Sequence, residues 1–330
     1  MIITAKAHAR AGLIGNPSDG YFGKTIAVIL KNFAVGVTLY ETPELEIVPG
    51  QQDTPKYGSL AELSEDVALN GYYGGVRLIK ATVNRFNRKF LRGRPARELR
   101  NFTVRYKTNI PRQVGLAGSS AIITATTRAL SAFYGVEIDR EQMPTFILEV
   151  ETKELALTAG LQDRVVQVYE GVVYMDFDRE LVEATGHGRY EPLDPALLPP
   201  LFVAYRTDVA ELSTVTHSDL NERFKLGEPA VVEGMAECAR LTEQARELLL
   251  AGKGSEMGEL MDRNLEVRRS MCHLDPHDLR MVEIAGKYDA HPKFCGSGGA
   301  IIGLYPGDEA YRVMREELRR IKCEVIRPRI

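Results

Sequence analysis

Apolar positions along this chain keep two different periods, and the changes of period mark its elements. From Ile2 to about Pro49 they alternate or run in short stretches, β-branched between Ile26 and Tyr40, with Glu46–Val48 as a brief edge. That pattern predicts strands. A polar loop bearing Pro and Gly covers about Gln51 to Gly58. Val76, Ile79, Val83, Phe86 and Phe90 then recur at helical spacing between Gly74 and Leu91, before Phe102–Asn109 alternates as a strand again. Ala121 to Tyr134 predicts a helix closed by Gly135, the residue that most readily takes the left-handed turn ending a helix. A second helix (about Arg140 to Leu157), a turn at Ala159–Asp163, a short helix (Asp163–Tyr169) and a strand (Val172–Phe177) follow.

Prolines at 195, 199 and 200 interrupt the pattern, so the seam between two units is expected there, dividing the chain into 1–198 and 199–330. Beyond it come a strand (Leu201–Arg206), three helical stretches between Thr214 and Met271 and a helix at His277–Tyr288. A glycine-rich strand pair (Lys293–Tyr305), a helix (Asp308–Ile321) and a last strand (Cys323–Arg327) complete the chain. Strands separated by helix pairs predict a two-layer α+β fold.

Length agrees, since 330 residues exceed one ordinary core. A hydrophobic fraction of 44% and a net charge of −3 describe an ordinary globular chain and argue against a nucleic-acid or membrane-surface partner. No apolar run approaches the roughly 20 residues of a membrane span, and the first residues, Met1-Ile2-Ile3-Thr4-Ala5-Lys6, resemble a strand more than a signal peptide. The four cysteines are dispersed with no CxxC, so no disulfide framework or structural zinc site is suggested. A cytoplasmic enzyme is the expectation.

Pro111 to Ala121 carries the strongest chemical signal. Gly115 and Gly118 let the backbone bend and approach a ligand, and Ser119 and Ser120 then lead into a helix. A helix N-terminus offers free N–H groups and a positive dipole end, both suited to phosphate. From Asn101 through Val136 there is no Asp or Glu, while Arg105, Lys107, Arg112 and Arg128 are present. Nucleotide phosphate binding is the first hypothesis; a turn that merely caps a buried helix is the plainer alternative.

Three other segments could cooperate with it. Between Arg10 and Gly20, Asn16, Ser18 and Asp19 could address a polyol, although all are turn formers. Ser18 to Thr25 imitates a Walker A loop, yet Thr25 leads into Ile26-Ala27-Val28-Ile29-Leu30, a strand pattern where a P-loop requires a helix. Glu151 with the Ser120 hydroxyl would suit Mg²⁺, which takes one or two protein oxygens plus phosphates and water. Asp163 would accept or orient a hydroxyl proton; it could equally cap its own helix, and Glu151 could sit on a solvated face. Gly296, Ser297, Gly298 and Gly299 imply close backbone approach by the phosphate loop, a nucleotide or a tight bend. The stripe Met261, Leu265, Arg268, Arg269 and Cys272 is read as core and rim.

These segments, in this order, resemble the GHMP kinases, small-molecule kinases named for galactokinase, homoserine kinase, mevalonate kinase and phosphomevalonate kinase. The resemblance runs through Arg10–Asp19, Pro111–Ala121 and Lys293–Ala300. Within that family, Gly15–Thr25, Asn109–Ala121, Ala159–Val165 and Phe294–Ala300 look like the glucuronokinases. The resemblance implies a two-domain α+β fold, ribosomal-S5-like then ferredoxin-like, with ATP between the domains. It further implies that Gly115, Leu116, Ala117, Gly118, Ser119 and Ser120 wrap the triphosphate and that Ser120 and Glu151 serve Mg²⁺. Asp163 would then face the sugar O1, Asp19 would bind a hydroxyl, and Arg10 would lie near the transferred phosphoryl group. The narrower likeness implies phosphorylation of D-glucuronate at its anomeric hydroxyl. Asn16-Pro17 stands where the family often has an acidic-His pair, a departure that bears on sugar recognition. A uronic acid calls for an arginine fork; Arg164, Arg206 and Arg269 are candidates, Arg164 preferred for its adjacency to Asp163. Another sugar or a heptose phosphate as substrate, and a non-catalytic sensor, are the alternatives; the oligomeric state is open.

Overall fold

Two sheets, each built around one long or central strand, position everything that follows. The computed structural model describes residues 1–50, 53, 74–95, 98–208 and 216–330, with side chains from 219 onward in the last stretch. Most of the loop expected at Gln51–Gly58 therefore lies outside the described residues. In the first sheet β1 (Ile2–Ile14) pairs antiparallel along β2 (Lys24–Glu41). On its other edge β2 meets β4 (Phe102–Thr108) with its C-terminal half and β5 (Val172–Asp176) with its N-terminal half. The short β3 (Glu46–Val48) lies parallel to β4, and β6 (Arg189–Leu193) is antiparallel to β5.

Period-two alternation sends Ala7, Ala9, Ala11 and Leu13 of β1 to one face, all fully buried, and Arg10 to the other. Small alanines let helices come close. The helices α1 (Gly75–Phe86) and α2 (Gly118–Tyr134) share the core with this sheet through Leu78, Ile79, Ile123, Leu130 and Phe133. Each such buried side chain is worth about 1.5–3 kcal/mol, enough together to fix where the N-terminus of α2 points. The helix expected from Arg140 is shorter: α3 covers Met143–Glu149 and runs into a π-helical turn at Val150–Glu154. Pro144 explains the late start, because proline is tolerated in a first helical turn but not inside. After α4 (Gln162–Tyr169), α5 (Arg179–Thr185) and β6 occupy a stretch for which the apolar pattern suggests no element. Only the Asp178 cap and the left-handed Gly186 mark α5 in sequence, and Pro192 blurs the alternation of β6.

The second sheet has the order β10–β7–β9–β8, from β7 (Leu201–Arg206), β8 (His291–Phe294), β9 (Ala300–Leu304) and β10 (Cys323–Ile326). All its pairings are antiparallel. With helical crossovers between β7 and β8 and between β9 and β10, this is the split βαβ arrangement of a ferredoxin-like layer. The first crossover contains α6 (Thr216–Lys225), α7 (Pro229–Leu250), α8 (Gly258–Met271) and α9 (Pro276–Gly286); the second is α10 (Asp308–Arg320). Met281, Ile284, Met314 and Leu318 of α9 and α10 cover one face of the sheet. From its other face Leu201, Val203, Ala300 and Ile302 join the core of the first sheet, so the two layers share apolar contacts. The C-terminal tail adds a tie, since Lys31 N–H donates to Arg329 O at 2.7 Å beside the register shift between β1 and β2.

Candidate active site

Three left-handed residues shape the loop before α2: Gln113 (φ +57°), Gly115 (+64°) and Ala117 (+61°). For an alanine that conformation costs roughly 1–2 kcal/mol, so neighbours must hold it. Buried Val114 and Leu116 anchor the loop from below. Its carbonyls are taken by the protein: Gln167 Nε2 donates to Ala117 O at 2.9 Å, Arg10 Nη1 to Gly115 O at 2.8 Å and Arg10 N to Leu116 O at 3.3 Å. With the carbonyls turned inward, the opposite side of the loop presents the first amides of α2, which a helix leaves without internal partners. The helix starts at Gly118, three residues before its expected start at Ala121, so Ser119 and Ser120 belong to its first turn. Ser120 is buried and its Oγ donates to Ala117 O at 3.2 Å.

The second glycine segment explains itself by contact with the first. A Cβ on Gly115 would stand 2.8 Å from Gly298 O, and one on Gly296 would stand 2.5 Å from Gly115 O. Of the three causes open from sequence, the partner is the loop at 113–117. Arg268 locks the far side, donating through Nη1 to Gly296 O at 2.7 Å and through Nη2 to Ser297 O at 3.2 Å. In the sequence Arg268 belonged to an apolar stripe on α8; its burial beside a glycine turn was the missing signal. Gly299 N–H is held by Asp278 Oδ2 at 2.8 Å.

Below the loop lies a chain of alternating charge. Arg10 Nε and Nη2 both approach Asp163 Oδ1 at 2.6 Å. Arg164 Nη1 is 3.4 Å from Asp163 Oδ2, while its Nε donates to Glu151 Oε2 at 2.7 Å and its Nη2 meets the same oxygen. Burial pushes the Asp163 carboxyl up, but the guanidinium groups of Arg10 and Arg164 outweigh it and hold the group below its ordinary range. Asp19 behaves oppositely. Burial and the nearby charge of Asp163 raise it to about 6, against the Gln162 amide and the same arginines. Gly160 leaves room for it, because a Cβ there would fall 2.1 Å from Asp19 Oδ2 and displace that carboxyl. Two carboxyl groups in one site are thus pushed in opposite directions and have different proton affinities.

These residues open onto a cavity of about 990 Å³, bordered by Arg10, Asn16, Asp19, Ser119, Glu151 and Asp163 among others. The other expected residues have the following partners. Arg164, preferred for a substrate carboxylate, is engaged by Glu151, Asp163 and Gly160 O. Arg206 is paired with Asp208 and Asp275 away from the cavity, and Arg269 does not border it. Asn16 borders the cavity, but its amide donates to Phe294 O at 3.1 Å and its oxygen accepts from buried Lys293. Ser18 Oγ turns inward to Lys24 O at 2.9 Å. Burial pushes the Lys293 ammonium down to about 7; Lys293 and Asn264, whose Oδ1 accepts from Gly15 N–H at 2.9 Å, support the first loop in a way no local pattern announced. Lys24 begins β2 and pairs with Asp176 and Glu243 outside the cavity, as its strand context predicts. The Ser120 hydroxyl and Glu151 carboxylate are hard oxygen donors facing one cavity, a set that fits a divalent cation completed by phosphates and water. One Glu151 oxygen is already neutralised by Arg164.

Residues 77–171 match the family model described as the GHMP kinases N terminal domain. Over 96% of its length the chain is 40% identical to glucuronokinase 1 of Arabidopsis thaliana, covering 89% of that protein. It is 41% identical to probable glucuronokinase 2 of the same plant, over 96% of this chain and 88% of that one. Among solved structures, Lactococcus lactis galactokinase complexed with galactose superposes with a TM-score of 0.76 at 13% identity, over 100% of this chain and 93% of that one.

Proposed function

The chain belongs to the GHMP kinases, phosphotransferases with an alcohol acceptor, and from that premise we propose that it transfers the terminal phosphoryl group of ATP to the anomeric hydroxyl of D-glucuronate. The products are D-glucuronate 1-phosphate and ADP. The O1–phosphorus bond forms, the bridging oxygen–phosphorus bond to the β-phosphate breaks, and the hydroxyl proton leaves to a carboxylate. The substrate rests on 40% and 41% identity to proteins named glucuronokinase.

In this reading Gly115, Leu116, Ala117, Gly118, Ser119 and Ser120 cradle the phosphates with backbone amides and hydroxyls. Ser120 and Glu151 would hold Mg²⁺, which when bound neutralises phosphate charge. Arg10 sits where negative charge develops during transfer. Asp163 orients the sugar O1 and takes its proton. Held ionised by two arginines, Asp163 is a weak base, which suits a loose phosphoryl transition state that asks little activation of the attacking oxygen. Asp19 and Asn16 would face other sugar hydroxyls, and Gly296, Ser297, Gly298 and Gly299 would brace the phosphate loop. The division into 1–198 and 199–330, with the nucleotide between the two, is part of the same proposal. So is a cytoplasmic location; no helix among the described residues is long and apolar enough to cross a membrane.

The observation that carries this reading is the Arg10–Asp163 pair, 2.6 Å apart beside the glycine loop and bordering one cavity. A sensor needs no such acid. ADP release with ATP, Mg²⁺ and a panel of sugars tests it: turnover of glucuronate supports the reading, and phosphorylation of galactose or a heptose phosphate with none of glucuronate rejects it.

A further inference from the structure

Recognition of a uronic acid requires a cation facing its carboxylate, and the arginines closest to the catalytic acid are already engaged. Arg10, Arg112, Arg164, Lys225 and Arg268 are the cationic side chains bordering the cavity among the described residues. Arg10 is held by Asp163, Gly115 O and Cys295 O. Arg164 is held by Glu151 and Gly160 O, and Arg268 by Gly296 O and Ser297 O. Arg112, on the phosphate loop, also has a partner. Lys225, in the last turn of α6, makes no ion pair or hydrogen bond with the described residues and is exposed toward the cavity.

Its setting points to the sugar end. Asn221, four residues earlier and so on the same helix face, also borders the cavity. The other side of α6 is anchored by buried Leu220, which packs with Val231, Met235, Val267 and Met271. Phe224 lies against Tyr21 with ring centroids 4.8 Å apart, and Tyr21 follows Asp19 by two positions in the first loop. The helix is therefore pinned to the turn that carries Asp19, with its polar face over the cavity. Asp219 and Glu228 both pair with Arg223, and Glu222, three residues before Lys225, is exposed and makes no ion pair with Lys225.

We propose that Asn221 and Lys225 form the carboxylate subsite, the ammonium of Lys225 pairing with the uronate carboxylate and the Asn221 amide donating a second hydrogen bond. The inference rests on the substrate reading above and supplies the specificity element that reading lacks. A neutral sugar leaves the ammonium without its partner, so discrimination arises from one charge.

The test compares wild type, K225M and K225R with glucuronate and with glucose at saturating ATP. Losing a hydrogen bond to a charged group is worth about 1.5–3 kcal/mol, so K225M should raise the KM for glucuronate about 10- to 100-fold. The preference for glucuronate over glucose should fall by the same factor, with kcat and the KM for ATP nearly unmoved, and K225R should recover most of the loss. An unchanged thermal midpoint separates this from misfolding. Normal wild-type turnover with a K225M KM within twofold overturns the subsite alone, as does a rise in the KM for ATP that accompanies every sugar. A wild type inert toward glucuronate overturns the substrate reading itself.

Discussion

The proposed phosphate side and the proposed sugar side of the cavity are made of different materials. On the phosphate side the working groups are backbone: a left-handed Gly115 and Ala117, the first turn of α2, and a second glycine segment packed against the first. On the side proposed for the sugar and the transferred phosphoryl group they are side chains from distant parts of the chain, Arg10 on β1, Glu151 in a π-helical turn, Asp163 and Arg164 on α4, and Asp19 in a loop. Backbone sites depend on local sequence and fail when a side chain intrudes. Side-chain sites depend on charge balance and fail when one partner is removed.

The sharpest way to break the sugar side is Asp163→Asn, which removes the proposed proton acceptor and leaves Arg10 without its anion. A positioned general base contributes typically about 10²–10⁴-fold, and kcat should fall by that factor while ATP affinity, measured by calorimetry, stays within about threefold. Unchanged turnover would take Asp163 out of the mechanism. Gly296→Ala is the counterpart on the phosphate side. Its methyl group would meet Gly115 O at 2.5 Å and the Arg10 guanidinium at 3.0 Å, so the two loops must separate. Overpacking of this kind costs typically about 1–3 kcal/mol. The KM for ATP should rise together with a lower thermal midpoint, a combination Asp163→Asn should not show.

Asp19 sharpens the comparison through pH. Its carboxyl, raised to about 6 from an ordinary 3.8, keeps its proton in the fold where the unfolded chain has lost it. Its contribution to stability therefore falls as pH rises between those values. Hydroxyl capture by the ionised form has the opposite sign: kcat/KM for the sugar should rise through about pH 6 and level off. Asp19→Asn should flatten that limb at a level about tenfold lower, the effect of one charge-assisted hydrogen bond. A limb that persists in the variant belongs to another group. The smallest effect is expected at Lys24, whose ion pairs with Asp176 and Glu243 are partly exposed and outside the cavity. Lys24→Met should leave kcat and the KM for ATP within twofold and alter stability by no more than about 1 kcal/mol; a large rise in the KM for ATP would revive the Walker reading.

The same contrast explains what the sequence revealed. The glycine loop and the helix it opens, the strand Leu201–Arg206 and the brief edge Glu46–Val48 were legible because their determinants are local: glycine spacing, alternation and a closing Gly135. The elements at Arg179–Leu193 escaped, because a solvated helix and an edge strand carrying Pro192 give almost no apolar period. On the sugar side the residue types were visible and their pairings were not. Arg164 and Glu151, thirteen positions apart, form a buried ion pair that no spacing rule announces. Arg268 sat in an apolar stripe, and only the fold brings it to Gly296 and Ser297.

A structure with a non-hydrolysable ATP analogue and glucuronate bound together measures the central geometry directly. The account predicts the triphosphate against residues 115–120 and the sugar O1 within hydrogen-bond reach of Asp163, about 2.6–3.2 Å, on the side facing the terminal phosphate. Phosphates seated elsewhere, or an O1 turned away from Asp163 with another hydroxyl in its place, would contradict it.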